Sequence, residues 1–357
     1  MDIIVLDEDR EEIEIIDTYK SFIWTDRYNG YGDFELYTAM TDTILDTIRL
    51  NRYLTIRQSE HVMIIETINI QSDAEDGNHI TVTGRSLESI LDRRIVWGTQ
   101  TVNGSLQNGV ESLFNNSFIK PTDSSRKIDD FVFVHSDNAD INALELEVQY
   151  TGTNLYSIVT KLCEEHGIGF QVTLTDTKGF AFQFYKGVDR SYEQDELPYV
   201  VFSPNFENII NSKYIESNSA FKNITLVGGE GEGSDRTYAT VGAGTGLLRR
   251  ELFTDARDLS SDLGDGQSLT ESAYTQLLQQ RGKEKLTEKI EVIAFEGQVE
   301  TGQLFQYGVD FFDGDIVQIA DAYGHETKSR IIELVLSFNE TGTSIFPTFQ
   351  TVVEEGE

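Results

Sequence analysis

Alternation is the feature that most constrains this chain. In one short segment after another, apolar and polar residues change places at every second position. That period sets one face of an extended strand against a core and the other toward water. Ile3 and Val5 alternate with Asp2 and Ile4, DEDR turns the chain, and Ile13 and Ile15 alternate with acids, which reads as a hairpin. Asn29-Gly30 predicts a type I′ turn, because both residues tolerate positive φ. Phe34 and Leu36 then alternate as a strand, YLTIRQSEHVMIIETINI folds back at Ser59-Glu60, and HITVTG adds a further strand. Short helices are predicted over 43–50 and over LESILDRR, the latter capped by Ser86. Many short strands with few helices point to a barrel or sandwich.

The middle of the chain mixes the two periods. Thr153 is placed to cap a helix with the stripe Leu155, Ile158, Val159, Leu162, Cys163 and His166, and Gly167 is its C-terminal glycine. GFQVTLTDTKGFAFQFY reads as two strands around a DTKG turn. Further on, KNITLVGG, IEVIAF, IVQIA and RIIELVLSF read as strands. Ser268-Leu-Thr-Glu271 is a capping box that opens a helix near 269–289. The fold class is therefore β-rich α+β. We expect a first barrel-like domain over 1–97 with roughly 205–235, an inserted α+β domain over 98–204, and a second barrel-like domain over 236–357.

Charge narrows the function. The 357 residues carry 61 acidic and 28 basic side chains, a net of −33. Such a surface repels nucleic acid and anionic membranes. The hydrophobic fraction of 39% still supplies real cores. Cys163 is the only cysteine, which excludes an internal disulfide framework and a cysteine-built zinc cluster. The N-terminus lacks a basic n-region, and no apolar run reaches the roughly 18 residues of a membrane span. Folding in a cytoplasm is expected.

Several motifs invite chemistry. VDFFDGDIVQIA, Val309 to Ala320, sets Asp310, Asp313 and Asp315 around a glycine. A calcium loop needs oxygen ligands where Phe311 and Phe312 stand, and a terminal Glu where Asp321 stands. Asp313-Gly314 as a turn before a strand is the better reading. VGGEGEGSDR lacks the Gly-Lys-Ser/Thr ending of a phosphate loop, and its acids repel phosphate, so it reads as a strand connection. Cys163 and His166 share an apolar stripe and read as core. His61, His79, His135 and His325 are scattered, and neither HExxH nor GxSxG occurs. No catalytic, cofactor or metal residue is assigned. Arg85, Arg93 and Arg94 flank a short helix followed by Trp97, and Arg249 pairs with Arg250 in sequence. Cations favour helix C-termini, while Arg and Trp favour interface centres. With Trp24, these are the subunit-interface candidates.

Several segments, in order, carry a resemblance. WTDRYNGYGDFELYT, YLTIRQSEHVMIIETINI, ITVTGRSLESILDRRIVW, KNITLVGGEGEGSDRTYATV, RRELFTDARD, VDFFDGDIVQIA and RIIELVLSF together touch most of the chain. The set resembles the hub protein of siphophage tails, the tail-associated or baseplate-hub family, in its branch without a long C-terminal extension. Residues 98–150 match least. The resemblance implies a virion structural protein of the tail tip, assembled in the bacterial host cytoplasm, with no enzyme activity and no cofactor. It implies a homotrimer whose two barrels per chain mimic sixfold symmetry. The implied partners are a ring of distal tail protein, the tape-measure protein, and tail fibre or receptor-binding proteins. The hub opens for DNA ejection, and an acidic channel wall lets DNA pass without binding. The chain reaches Glu357 soon after the closing strand, so a hydrolase extension is not expected on it. The competing readings are a cell-wall polysaccharide hydrolase and a glycan- or receptor-binding module.

Overall fold

A computed structural model describes residues 1–73, 77–264, 267–299, 305–321, 323, 326–340 and 342–352. His325 lies outside the described residues. Seven strands come first: β1 (Ile3–Leu6), β2 (Glu12–Ile16), β3 (Ser21–Arg27), β4 (Asp33–Ala39), β5 (Tyr53–Thr55), β6 (Val62–Asp73) and β7 (Gly77–Ser86), with α1 (Asp42–Thr47) between β4 and β5. A 3-10 helix, Leu87–Arg93, follows. The middle holds β8 (Thr99–Ser105), α2 (Leu106–Phe114), β9 (Phe131–Val134), α3 (Ala139–Asn142), β10 (Glu145–Thr151), α4 (Leu155–His166), β11 (Gly169–Leu174) and β12 (Phe180–Tyr185). Next come β13 (Val201–Phe202), β14 (Ile209–Ser217), β15 (Ile224–Gly228), β16 (Tyr238–Gly242) and β17 (Glu251–Asp255). The chain continues with β18 (Asp262–Gly264), β19 (Gln267–Ser268), α5 (Glu271–Thr287), β20 (Val292–Val299), β21 (Ile316–Ala320), β22 (Glu326–Asn339) and β23 (Gly342–Thr351).

Thirteen strands share one sheet. Its path runs β14-β20-β23-β22-β3-β4-β7-β6-β5-β1-β2, with β21 beside β22 and β13 beside β21. Strands from the first and the last parts of the chain meet within it. β22 pairs antiparallel with β3, Leu336 opposite Trp24 and Phe338 opposite Phe22. The rings of Phe22 and Phe338 stack at 6.0 Å. One core runs under both groups of strands, from Ile3 and Trp24 to Phe311, Leu334 and Phe349. Local alternation marks strands but not their partners, so this union was not readable from the pattern.

Nor do the described strands close into a barrel, as the barrel-like expectation required. β2 and β14 end the path unpaired to one another. β2 exposes Ile13 and Ile15, which alternate with Glu12 and Glu14. Charges along an edge strand discourage further pairing.

The middle segment forms a second core, rich in phenylalanine: Phe114, Phe118, Phe131, Phe170, Phe182 and Phe184 pack together. Phe114 and Phe182 meet edge-on at 4.8 Å, a favoured ring geometry. α4 buries Leu155, Ile158, Val159, Leu162 and Cys163, as its stripe predicts. Asn154, one residue beyond Thr153, caps it by accepting from Ser157 N. Gly167 takes the left-handed conformation at φ 60°. Burial pushes the Cys163 thiol up, which makes it a packing group.

A third, small core lies between α5 and the β16-β15-β17 sheet. Thr270, not Ser268, caps α5 through Ala273 N. Gly282 lets the helix sit close: a Cβ there would come within 2.7 Å of Val241. α5 also meets the middle segment. Glu284 faces a recess lined by Tyr150, Lys161 and Arg281. Burial lifts its pKa to about 7, with Arg281 opposing and Glu165 assisting. A carboxyl whose folded pKa is raised favours folding while protonated, so stability falls as pH climbs from about 4.5 to about 7. Glu284→Gln should flatten that fall and gain roughly 3 kcal/mol relative to the parent at about pH 8, read by urea unfolding across the pH range.

Candidate functional site

The stretch from Val309 to Ala320 is a turn and a strand, and its aspartates are engaged by protein donors. Gly314 has φ 88°, a conformation that favours glycine. Asp310 Oδ2 accepts from Gln306 N at 2.7 Å. Asp313 accepts from the Tyr185 hydroxyl. Asp315 accepts from Val188 N at 2.9 Å, Arg190 Nε at 2.8 Å and Phe312 N at 3.1 Å. The turn therefore fastens the main sheet to the end of β12 and the chain that follows it.

Tyr28 stands at the centre of this junction, in the loop after β3. That loop does not form the type I′ turn expected at Asn29-Gly30, because neither residue has positive φ. It is tethered outward instead. Tyr28 N donates to Ile332 O at 3.1 Å, Phe170 N donates to Tyr28 O at 3.2 Å, and Gly32 N donates to Ser86 Oγ at 2.7 Å. These bonds to three distant segments outweigh a local hairpin preference. The Tyr28 ring fills a slot walled by glycines. A Cβ at Gly314 would lie 2.2 Å from the ring, and one at Gly169 would lie 2.4 Å from it. Gly187 sits against the Gly314 carbonyl, where a Cβ would come within 2.0 Å. The Tyr28 hydroxyl donates to Gly167 O at 3.2 Å, and Arg330 lies over the ring at 5.1 Å. Arg330 also donates to Gly314 O at 2.7 Å. Burial pushes the Tyr28 hydroxyl up to about 12, so it stays protonated.

Beside the slot lies a buried charge web. His61 Nδ1 donates to Glu88 Oε1 at 3.1 Å, and its Nε2 lies 4.0 Å from Asp313 Oδ2. Glu88 also accepts from Val172 N at 2.8 Å. Asp26 accepts from Trp24 Nε1 at 2.7 Å and from the Tyr307 hydroxyl at 2.9 Å. Burial alone would favour neutral His61, but Glu88, Asp26 and Asp313 win and hold it well above its usual range. Asp313 goes the other way: burial opposes its charge, and His61 keeps its pKa low. Burial raises Asp26. A polar recess of about 630 Å3 adjoins the web, lined by His61, Gln171, Tyr185, Arg190, Tyr307 and Asp313 among others. Fixed donors and acceptors of this kind hold two units together rather than present a free nucleophile.

The glycine run is likewise structural. Arg236 donates to Gly229 O at 3.0 Å and Gly228 O at 2.8 Å, and Glu230 N donates to the Tyr274 hydroxyl at 2.7 Å. It links β15 to β16 and seats α5.

The interface candidates separate into distinct environments. Trp24 is fully buried in the main core. Arg85 pairs with Glu66 at 2.7 Å and Asp92 at 3.0 Å and covers the Tyr31 ring. Arg249 pairs with Glu251 at 2.5 Å. Arg250 donates to Asn218 O and lies over Phe221. Arg93, Arg94 and Trp97 line one surface groove with Arg126, and Trp97 is 71% exposed. The sequence reading missed Tyr28, His61 and Glu88 as a group. The available signal was the set of glycines at strand boundaries, residues 169, 187 and 314.

The model of the siphovirus ReqiPepy6 Gp37-like protein family matches residues 2–349, and the chain belongs to that family. Its fold is that of phage tail proteins. The prophage tail protein gp18 from Listeria monocytogenes superposes with a TM-score of 0.54 at 15% identity, over 98% of this chain and 94% of that one. The 43 kDa tail protein of prophage MuSo2 from Shewanella oneidensis gives 0.60 at 12% identity, over 98% of each chain. A chain of the Francisella PdpA–VgrG complex gives 0.52 at 10% identity, over all of this chain and 59% of that one. At these identities the likeness is one of fold. No curated protein matches the chain.

Two outcomes test the junction. Gly314→Ala should lower stability by about 1–3 kcal/mol, from backbone strain and the clash with Tyr28, read as a fall in Tm. The His61 web should have a pH window. A raised His pKa gives stability that is full below about 6.5 and is lost as pH rises through the folded value; the lowered Asp313 pKa gives stability lost as pH falls below about 3.8. Unfolding at about pH 6 and about pH 9 should show the alkaline loss in the parent and a smaller one in Glu88→Gln.

Proposed function

We propose that this chain is the structural hub of a siphophage tail tip, with no enzymatic activity of its own. The family match over residues 2–349 carries the reading. In it, three copies join the sixfold ring of distal tail protein to a threefold tip, as part of the virion. The two halves of the main sheet, strands before residue 97 and strands after residue 200, supply the repeated element that lets three chains meet six. The hub encloses the end of the tape-measure protein and carries tail fibre or receptor-binding proteins. It closes and opens the channel for DNA ejection. The net charge of −33 supports a channel wall that DNA slides past, because duplex DNA is retained mainly through its phosphates.

The test is the solution mass of the purified chain, alone and with the distal tail protein from the same source. The expected result is three times 40.3 kDa, or a monomer that loads as three copies on a six-copy ring. A monomer that ignores the ring overturns the reading.

A further inference from the structure

A surface groove follows the seam between the middle segment and the main sheet. One stretch, about 710 Å3, is lined by Arg93, Arg94, Trp97 and Arg126 among others. An adjoining stretch of about 290 Å3 shares Arg93 and Arg94 and adds Arg10 and Phe180. Four guanidiniums thus gather along one depression in a chain of net charge −33. Asp123 is the one acid among the described lining residues.

Arg93 lies 3.8 Å from Glu66, whereas Arg94 and Arg126 are positioned without being neutralised. Arg94 donates to Arg126 O at 3.3 Å and to Arg93 O at 2.9 Å. Arg126 donates to Ile95 O at 2.9 Å and lies over the Trp97 ring at 5.3 Å. Neither meets a carboxylate at ion-pair distance among the described residues. Arg10 Nε is buried without a hydrogen-bond partner, and its guanidinium lies 4.9 Å from the Phe180 ring centre. Burial, then the charges of Arg126 and Arg93, lower the Arg94 pKa, the mark of a locally positive field.

We propose that this groove binds an acidic segment of a partner polypeptide, in which carboxylates alternate with apolar side chains. Guanidinium forks match carboxylates in pairs. Between them stand Trp97, Ile95 and Phe180, and on the deeper side Ile64, Ile90 and Ile128. Those apolar walls have nothing to offer a phosphate polymer but suit the side chains of a peptide. A long polyanion would also run out of the groove onto acidic surface, whereas a short acidic segment ends inside it.

The test uses the full chain and its own fluorescence. There are two tryptophans, and Trp24 is fully buried, so a change in emission on adding ligand reports on Trp97. The probe is a synthetic peptide alternating Glu with Leu or Phe. A saturable emission change that weakens with added salt is expected, with affinity reduced about tenfold or more in the double variant Arg94→Glu, Arg126→Glu. Arg126→Gln should give a smaller loss and serves if the double variant does not fold. No emission change, or an equal response to the same peptide with Lys for Glu, overturns the proposal. Inorganic polyphosphate binding more tightly than the peptide overturns it in favour of a phosphate polymer. A chain that self-associates, with the double variant falling to monomer, overturns it in favour of a second copy.

Discussion

The close approach of the Tyr28 ring to Gly169 and Gly314, with Gly187 N donating to its hydroxyl, holds this molecule in one arrangement. The ring belongs to the loop after β3. Its walls come from the α4–β11 corner, from the segment after β12 and from the turn before β21. Four regions of the chain therefore share one slot. Side chains larger than hydrogen at Gly169, Gly187 or Gly314 would push those regions apart. Arg330 closes the slot by stacking on the ring while donating to Gly314 O, so a residue of β22 checks the fit.

Charge is handled differently inside and outside. Outside, acids outnumber bases more than two to one, and the surface is repulsive by default. Inside, the acids of the junction are held by partners, although Glu88 Oε2 is buried without one. Asp315 has three donors, Glu88 has His61 and Val172 N, and Asp26 has an indole and a phenol. A buried carboxylate without such donors would be costly, whereas a supplied one ties its donors to a single geometry. The web thus specifies how the middle segment sits on the sheet, more than it adds to net stability.

Much of the local structure was legible. The alternation placed β1, β2, β6, β7, β11, β12, β21 and β22, and the apolar stripe placed α4 down to its terminal glycine. Caps slipped by one or two residues, because Thr153 and Asn154, or Ser268 and Thr270, are chemically equivalent choices. What the pattern did not hold was partnership. Nothing in RIIELVLSF names the Trp24 strand as its neighbour, so the shared sheet was not legible. His61 and Glu88 looked unremarkable for the same reason. Their meaning comes from Asp313, more than two hundred residues away. The glycine at 314 was read correctly as a turn, but the ring it admits belongs to the other end of the chain.

The pairing of β22 with β3 has a consequence for how the molecule comes into being. Arg27 in β3 grips Glu333 in β22, a link spanning some 306 positions. During synthesis, β3 leaves the ribosome long before β22 exists, and its open edge waits while the middle segment is made. Contacts of such long range close late and slowly. A nascent chain in that state exposes strand edges that a neighbouring copy could match. The acids spread along its length keep unfinished copies apart until the last strands arrive, so the surface charge of the finished particle also acts as a chaperone to its own assembly line.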